Sequence, residues 1–381
     1  MKKISLDGDA SIWTNEFEHR LQLALYVAYL EARKGGKRST HDEQIFELNA
    51  DENLKLLRND VLNKTYRPSR STAHIIYNPV IREIFAATFR DRVVHHLIFD
   101  TVYDWWDKRM IEDAYSCRVG KGTLYGIRRL DHHIRAVSQN YARKAYVAKL
   151  DIQGYFMSLP RKELYERAIW GLDRQFAGRA NSREYDMVKF LWHRTIFDDP
   201  IHGVRKKGDL TGWDKLPASK SLFGQPAGKG IVIGNLTSQL LSNIYLDMLD
   251  RFVMYDLGYK HYGRYVDDFY IVVSEEELQQ LLRDIGAIED FLKLKQLRLH
   301  PKKRTIRDAA QGVSFLGAVV YNGHIVPGKR LARNTRVACE EVIMGRKKEE
   351  TIISYLGHAR HLNSTAMLQK SFRKVGWEYN I

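Results

Sequence analysis

"YKHYGRYVDDFYIVV", residues 259–273, is the stretch on which the fold turns. Aromatic and β-branched residues flank Asp267 and Asp268 on both sides, the composition of two strands joined by a tight hairpin. Aspartate is common in turns. A turn set among so many apolar residues is nevertheless a costly place for two charges unless they are paired or bind a metal. Upstream, "KAYVAKLDIQGYFMSL" (144–159) reads as a buried strand through Tyr146, Val147, Ala148 and Leu150 that delivers Asp151 at its end. Between the two lies "GIVIGNLTSQLLSNIYLDMLD" (230–250), a glycine-punctuated loop that becomes an amphipathic helix. Its inward positions are Leu240, Leu241, Ile244, Met248 and Leu249, and it closes near Gly258.

Three carboxylates on neighbouring strands are what two-metal phosphoryl transfer needs, because two hard cations must be held by oxygen ligands on rigid elements. Successive strand residues point to opposite faces, so one member of the Asp267–Asp268 pair is expected on the face of Asp151 and the other off it. Asp267 is the expected direct metal bridge and Asp268 the weaker, partly supporting ligand.

The rest of the chain is organised around these segments. Helical spacing covers residues 11–34 and "HDEQIFELNADENLKLLRNDVLN" (41–63), and "KTYRPSRSTAHIIYNP" (64–79) is a basic loop ending as a strand. A helix is expected over 81–106, and "YSCRVGKGTLYGIRRLDHHIRAV" (115–137) gives a Gly- and Arg-rich turn feeding another. Residues 198–230 hold six glycines and three prolines and read as a long loop insertion. A helix at 275–296, short strands over 297–326 and a basic helical tail from 329 to 381 complete the chain, without internal repeats.

The chain has 381 residues, with 61 Lys plus Arg against 46 Asp plus Glu, a formal charge of +15. That balance favours a polyanionic partner, since each neutralised phosphate releases a counterion. The two cysteines, Cys117 and Cys339, are far apart and offer neither a disulfide framework nor a zinc knuckle. "MKKISLDGDASIW" has no apolar run behind its lysines, and "LQLALYVAYL" (21–30) is too short to span a bilayer, so a cytoplasmic location without membrane attachment is expected. The histidine pairs His95/His96, His132/His133 and His358/His361 lack Cys or carboxylate partners at ligand spacing and are not expected to bind metal.

"YVDD" resembles the YxDD box of reverse transcriptases, "KLDIQGYF" their first palm motif, and the 230–250 segment the loop and helix between them. "RDRVVHHL" (90–97) and "SCRVGKGTLYGIRRL" (116–130) are similar to their fingers motifs, and "LRLHPKKRTI" (297–306) and "FLGAVV" (315–320) to their last two palm motifs, including the primer grip. The similarity is ordered and runs from about residue 82 to 320. It implies an α+β right-hand polymerase with an antiparallel palm sheet flanked by helices. The implied parts are an N-terminal helical extension (1–75), fingers (76–145), a palm (146–325) carrying the insertion at about 198–230, and a helical thumb (326–381).

The resemblance also implies roles. Asp151, Asp267, Asp268 and the backbone carbonyl of Ile152 would hold two Mg²⁺, with Mn²⁺ as a substitute. Phe156 matches the bulky gate beneath the sugar C2′, with Tyr155 as the second choice. Arg82, nine residues before Asp91, matches the clamp on the incoming triphosphate; its planar fork suits that task. The companion lysine would fall near Ile76, which is not basic, leaving Arg70 or Lys64 as replacements. Ile233, Gly234, Gln239 and Lys303 would lie at the nucleotide. Arg118 and Lys121 would serve template or triphosphate, with a solvated basic face as the alternative, and Phe315, Leu316 and Gly317 would position the primer end.

Most relatives carry Gln before the loop glycine and Pro after the serine, whereas this chain has Ile233 and Gln239. That pattern resembles the reverse transcriptases of diversity-generating retroelements, as do "LPASKSLF" (216–223) and "SYLGHARHLNS" (354–364). The chain continues about sixty residues after "FLGAVV", so the maturase and endonuclease extensions of group II intron proteins are not expected. The resemblance therefore implies copying of a template RNA into cDNA from a primer and dNTPs, with errors at template adenines. Its implied partner is an accessory variability protein, a small basic homo-oligomer. The alternatives are a retron-like or defence-associated reverse transcriptase with a different priming mode, and a catalytically inactive RNA-binding scaffold.

Overall fold

Helical and alternating hydrophobic periods succeed one another along the sequence, and a computed structural model that describes residues 14–77, 80–374 and 376 shows what they become. The N-terminal "MKKISLDGDASIW" and the last five residues lie outside the described residues. The first elements are α1 (Thr14–Ala32), α2 (His41–Leu48), α3 (Ala50–Leu62), β1 (Thr72–Ile76), β2 (Arg82–Ala86) and α4 (Phe89–Asp107). Next come α5 (Thr123–Val137), β3 (Ala145–Asp151), α6 (Tyr155–Ser158), α7 (Arg161–Gln175), α8 (Arg183–Phe197) and β4 (Arg205–Lys207). Then follow α9 (Leu236–Arg251), β5 (Tyr262–Tyr265), β6 (Asp268–Ser274), α10 (Leu278–Leu294), β7 (Thr305–Asp308), β8 (Val313–Phe315), β9 (Ala318–Tyr321) and β10 (His324–Pro327). The last helices are α11 (Lys329–Ile343), α12 (Glu350–Ala359) and α13 (Thr365–Lys374). The protein is thus of mixed α+β class, and among the described residues no helix is long and apolar enough to cross a membrane.

Two compact units are each assembled from two chain segments, Met1–Met110 with Gly154–Met248, and Ile111–Gln153 with Leu249–Ile381. In the first unit α4 packs against α1, α7 and α8. A Cβ on Gly171 of α7 would come within 2.1 Å of the Trp106 ring, so only glycine lets the buried tryptophan lie flat on that helix. Residues 82–86, expected as the start of a helix, are instead a strand. Glu83 and Phe85 are fully buried while Arg82 is exposed, an alternation of period two. The helix begins only after Thr88, whose hydroxyl accepts from the backbone N–H of Asp91.

The 198–230 insertion is likewise more than a loop. Its strand β4 pairs parallel with β1 to make the sheet β2-β1-β4. Leu222 packs with Ala73, Phe85, Met157 and Val232, and Trp213 and Phe223 flank that cluster.

In the second unit, the antiparallel sheet β5-β6-β3-β7 carries α5 on one face. Their interface holds Tyr115, Ile127, Leu130, Val147, Tyr270 and Phe315. A second antiparallel sheet, β10-β9-β8, follows, and α11 to α13 close around Cys339, Ile352, Ala359, Leu368 and Phe372. The boundaries expected at 75/76 and 325/326 both fall inside strands, because β1 and β10 are each held to a hairpin partner through their last residue.

Candidate active site

The acidic hairpin forms as its composition demands. Tyr265 on β5 pairs with Asp268 on β6, and Val266 and Asp267 make the two-residue turn. Val266 has φ 56, a backbone conformation that a β-branched residue rarely adopts. Three bonds hold it there. The Val266 N–H donates to Ser116 Oγ at 3.2 Å, Arg264 Nη1 donates to the Val266 carbonyl at 3.1 Å, and the Ile152 N–H donates to the Asp267 carbonyl at 3.0 Å. Arg264 is fully buried and forks onto Asp250 with two bonds of 2.6 Å, and Tyr262 donates to the same carboxylate at 2.7 Å. An arginine in the middle of an apolar strand is the signal that sequence reading passed over.

The sheet register decides which aspartate shares the face of Asp151. It is Asp268, the cross-strand partner of Asp151, whereas Asp267 belongs to the turn. Burial first, and then the Asp151 charge ahead of that of Asp268, push Asp267 up to about 6. Asp268 is pushed up to about 6 as well, by burial, against the pull of Lys149. Lys149 Nζ lies 3.2 Å from Asp268 Oδ2, and Lys303 Nζ lies 2.9 Å from Asp151 Oδ2. Lys149 went unnoticed in the sequence, although its place two residues before Asp151 puts it on the same strand face.

The other oxygen of Asp268, Oδ1, is buried without a hydrogen-bond partner. Two lysines thus face three carboxylates, and one carboxylate oxygen is left bare, which is a hard-oxygen donor set short of positive charge. Among the described residues no three His, Cys, Asp or Glu side chains already converge as a metal cluster. Two of these carboxylates are instead drawn towards lysines.

Of the expected nucleotide residues, all but Lys303 are in the first unit. Tyr155 is 2% exposed and donates its hydroxyl to the Ser242 carbonyl at 2.7 Å, so it is core. Phe156 and Ile233 are half-buried and pack against one hydrophobic cluster. The loop between Gly230 and Gly234 is strung on backbone bonds. The Ile231 N–H donates to Phe156 O, and the Phe85 N–H donates to Ile233 O, both at 2.9 Å. Gly234 has φ +128, and a Cβ there would sit 2.6 Å from the Phe85 carbonyl oxygen, so the close approach of loop to strand requires glycine. Gln239 is exposed on α9, and Arg82 is exposed on β2 directly opposite Ile76. Arg70 lies over the backbone of Gly203 and Lys64 is in the turn two residues past the end of α3, so neither belongs to β2, the strand of Arg82.

Arg118 departs from expectation. It is 8% exposed, and its Nη1 donates to the carbonyls of Ile111 at 2.6 Å and Ala114 at 3.1 Å, so it is not a solvated cation. Lys121 pairs with Glu112 at 3.1 Å. Phe315 is core beneath Tyr270, and only Leu316 and Gly317 form the turn between β8 and β9.

Of the histidines, His95 is buried against Thr237 Oγ1 at 2.7 Å, and burial pushes it down to about 3. His133 lies 3.4 Å from Asp113, which Arg129 also holds, at 2.6 Å. Sequence reading also missed Glu83. Its fully buried carboxylate accepts from Trp213 Nε1 at 2.6 Å, the Leu222 N–H at 2.7 Å and Ser221 Oγ at 3.1 Å.

Residues 80–320 match the family model described as reverse transcriptase (RNA-dependent DNA polymerase), well over half of the chain. A comparison with curated proteins gives no match.

Proposed function

The chain belongs to the reverse transcriptase family, and from that premise we propose a metal-dependent, error-prone polymerase of the diversity-generating retroelement type, with fingers, palm and thumb near the sequence boundaries given above. Family membership itself carries RNA-directed DNA polymerase activity, with template RNA and nucleotides as substrates. The observation that carries the proposed chemistry is the carboxylate set. Asp151 and Asp268 face each other across a strand pair, Asp267 stands in the adjoining turn, and Asp268 Oδ1 lacks a partner.

Asp151, Asp267, Asp268 and the Ile152 carbonyl would hold Mg²⁺ or Mn²⁺, which when bound supplies Lewis-acid activation of the primer hydroxyl and charge stabilisation at the leaving pyrophosphate. Lys303 holds Asp151 in place and brings positive charge to the phosphate side. The Arg82 fork is suited to the triphosphate. Phe156 excludes a ribose 2′ hydroxyl by contact.

The retroelement assignment rests on Ile233. Its backbone carbonyl is committed to Phe85 and its side chain rests on hydrocarbon. At the expected position of a glutamine the loop therefore offers no side-chain hydrogen bond to check the nascent base pair. Errors at template adenines and service to an accessory basic homo-oligomer follow from the same resemblance.

Two measurements test this reading. Purified protein with template RNA, primer, dNTPs and Mg²⁺ makes cDNA, and Asp267→Ala lowers the yield by about 10³-fold or more; cDNA at the parental rate would overturn the assignment. Ile233→Gln lowers misincorporation opposite adenine by about 10-fold; identical error spectra would remove the retroelement reading while leaving the polymerase.

A further inference from the structure

The insertion contributes a strand to β2-β1-β4, and strand register fixes which side chains share a face. Arg205 is opposite Thr72 and Lys207 opposite His74, while on the other side of β1 Ile76 is opposite Arg82 and His74 opposite Ile84. Arg82, Arg205 and Lys207 therefore stand on one face, and all three are exposed. No paired position on that face is a carboxylate. The nearest acid after β4, Asp209, is occupied by the Tyr77 hydroxyl at 2.6 Å and by Thr211. Among the described residues none of these three cations has an ion-pair partner. The intervening Lys206 belongs to the opposite face, where it lies 4.3 Å from the Phe223 ring centroid and 4.8 Å from that of Trp213.

That opposite face is built to hold the strand rigidly, with Glu83 tied to Trp213, Ser221 and Leu222, and with Leu222 in the core. Charge on a short edge strand also discourages edge-to-edge pairing. That role does not call for a matching arginine two strands away on the same face.

We propose that this face is a binding surface for the phosphate backbone of the template RNA, with Arg205 and Lys207 of the insertion as cations added beside Arg82. Arg205 and Lys207 are about 7 Å apart along their strand, and Arg82, two strands across and two residues further along in register, lies about 12 Å from Lys207. With Arg82 left to the triphosphate, the charge that Arg205 and Lys207 add beyond it on the same face suits a chain of phosphates better than one compact triphosphate. The proposal rests on the RNA-directed polymerase reading.

The test is equilibrium binding of a fluorescent primer–template carrying a 5′ single-stranded RNA overhang, against the same duplex without the overhang, across a salt series. Arg205→Ala combined with Lys207→Ala is expected to weaken binding of the overhanging substrate about 10-fold near 0.1 M salt. The log–log salt slope should become shallower by about 1.4, two single-strand contacts' worth. The exchanged variant, Arg205→Lys with Lys207→Arg, should restore most of both, and thermal unfolding should be unmoved because both residues are exposed. A raised KM for dNTP with unchanged RNA affinity would overturn the proposal by assigning the face to the triphosphate. Unchanged binding with a change only in solubility or oligomeric state would overturn it in favour of edge protection. Binding needs no turnover, so loss of RNA affinity in the double variant of a protein that makes no cDNA would sustain the surface while removing the polymerase reading.

Discussion

Glu83 is a fully buried and Asp268 a partly buried carboxylate, both on β-strands, and their partners differ. Glu83, in the first unit, accepts from three donors of the insertion. Asp268, in the second, has Lys149 on one oxygen and nothing on the other. A saturated buried carboxylate is a structural tie. One left short of partners stores an unmet demand for positive charge, which is how functional sites spend stability.

Opposite substitution outcomes should separate the two. Glu83→Ala strands three donors and should cost about 3 kcal/mol of stability in chemical denaturation; a loss under about 1 kcal/mol would make the tie ornamental. Asp268→Asn should lower the rate of cDNA synthesis by about 100-fold without lowering the unfolding midpoint in metal-free buffer at pH 7. A large destabilisation would put Asp268 in the class of Glu83.

Arg264 sharpens the contrast from within the hairpin, since it satisfies Asp250 and also grips the Val266 turn. Arg264→Lys keeps the charge but loses the fork. It should lower kcat by about 10-fold with KM for dNTP little changed; a rise in KM alone would deny it a positioning role.

The smallest effect is expected at His95. It stays neutral in the fold down to about pH 3, while an unfolded histidine takes up a proton near 6.5, so the unfolded state gains as pH falls. Between pH 7 and 5.5 its share of stability should shrink by roughly 1 kcal/mol. His95→Gln should flatten that part of the stability curve, and an unchanged slope would show that other groups set it.

The acidic hairpin, the strand ending in Asp151 and the 230–250 loop and helix were legible in the sequence because each is local. Alternation, turn chemistry and helical period need only neighbours along the chain. Less legible was anything set by partners far away in sequence. Residues 82–86 look helical in isolation, and only pairing with β1 makes them a strand. Arg118 has the composition of a phosphate ligand, yet in the fold it is buried with its Nη1 on the carbonyls of Ile111 and Ala114, which lie outside the local pattern that suggested a ligand. The insertion's glycines and prolines spell a loop, yet Glu83, more than a hundred residues earlier, fixes it as part of a sheet.

By itself, then, the sequence determined the mixed α+β class, the family, the acidic hairpin and the strand that ends in Asp151, because motif order and residue chemistry are properties of the chain. Tertiary structure alone decided that Asp268 faces Asp151, that Tyr155 is core, and that Arg205 and Lys207 join the face of Arg82. Those facts depend on strand register, which long-range hydrogen bonds and packing select and no local pattern encodes.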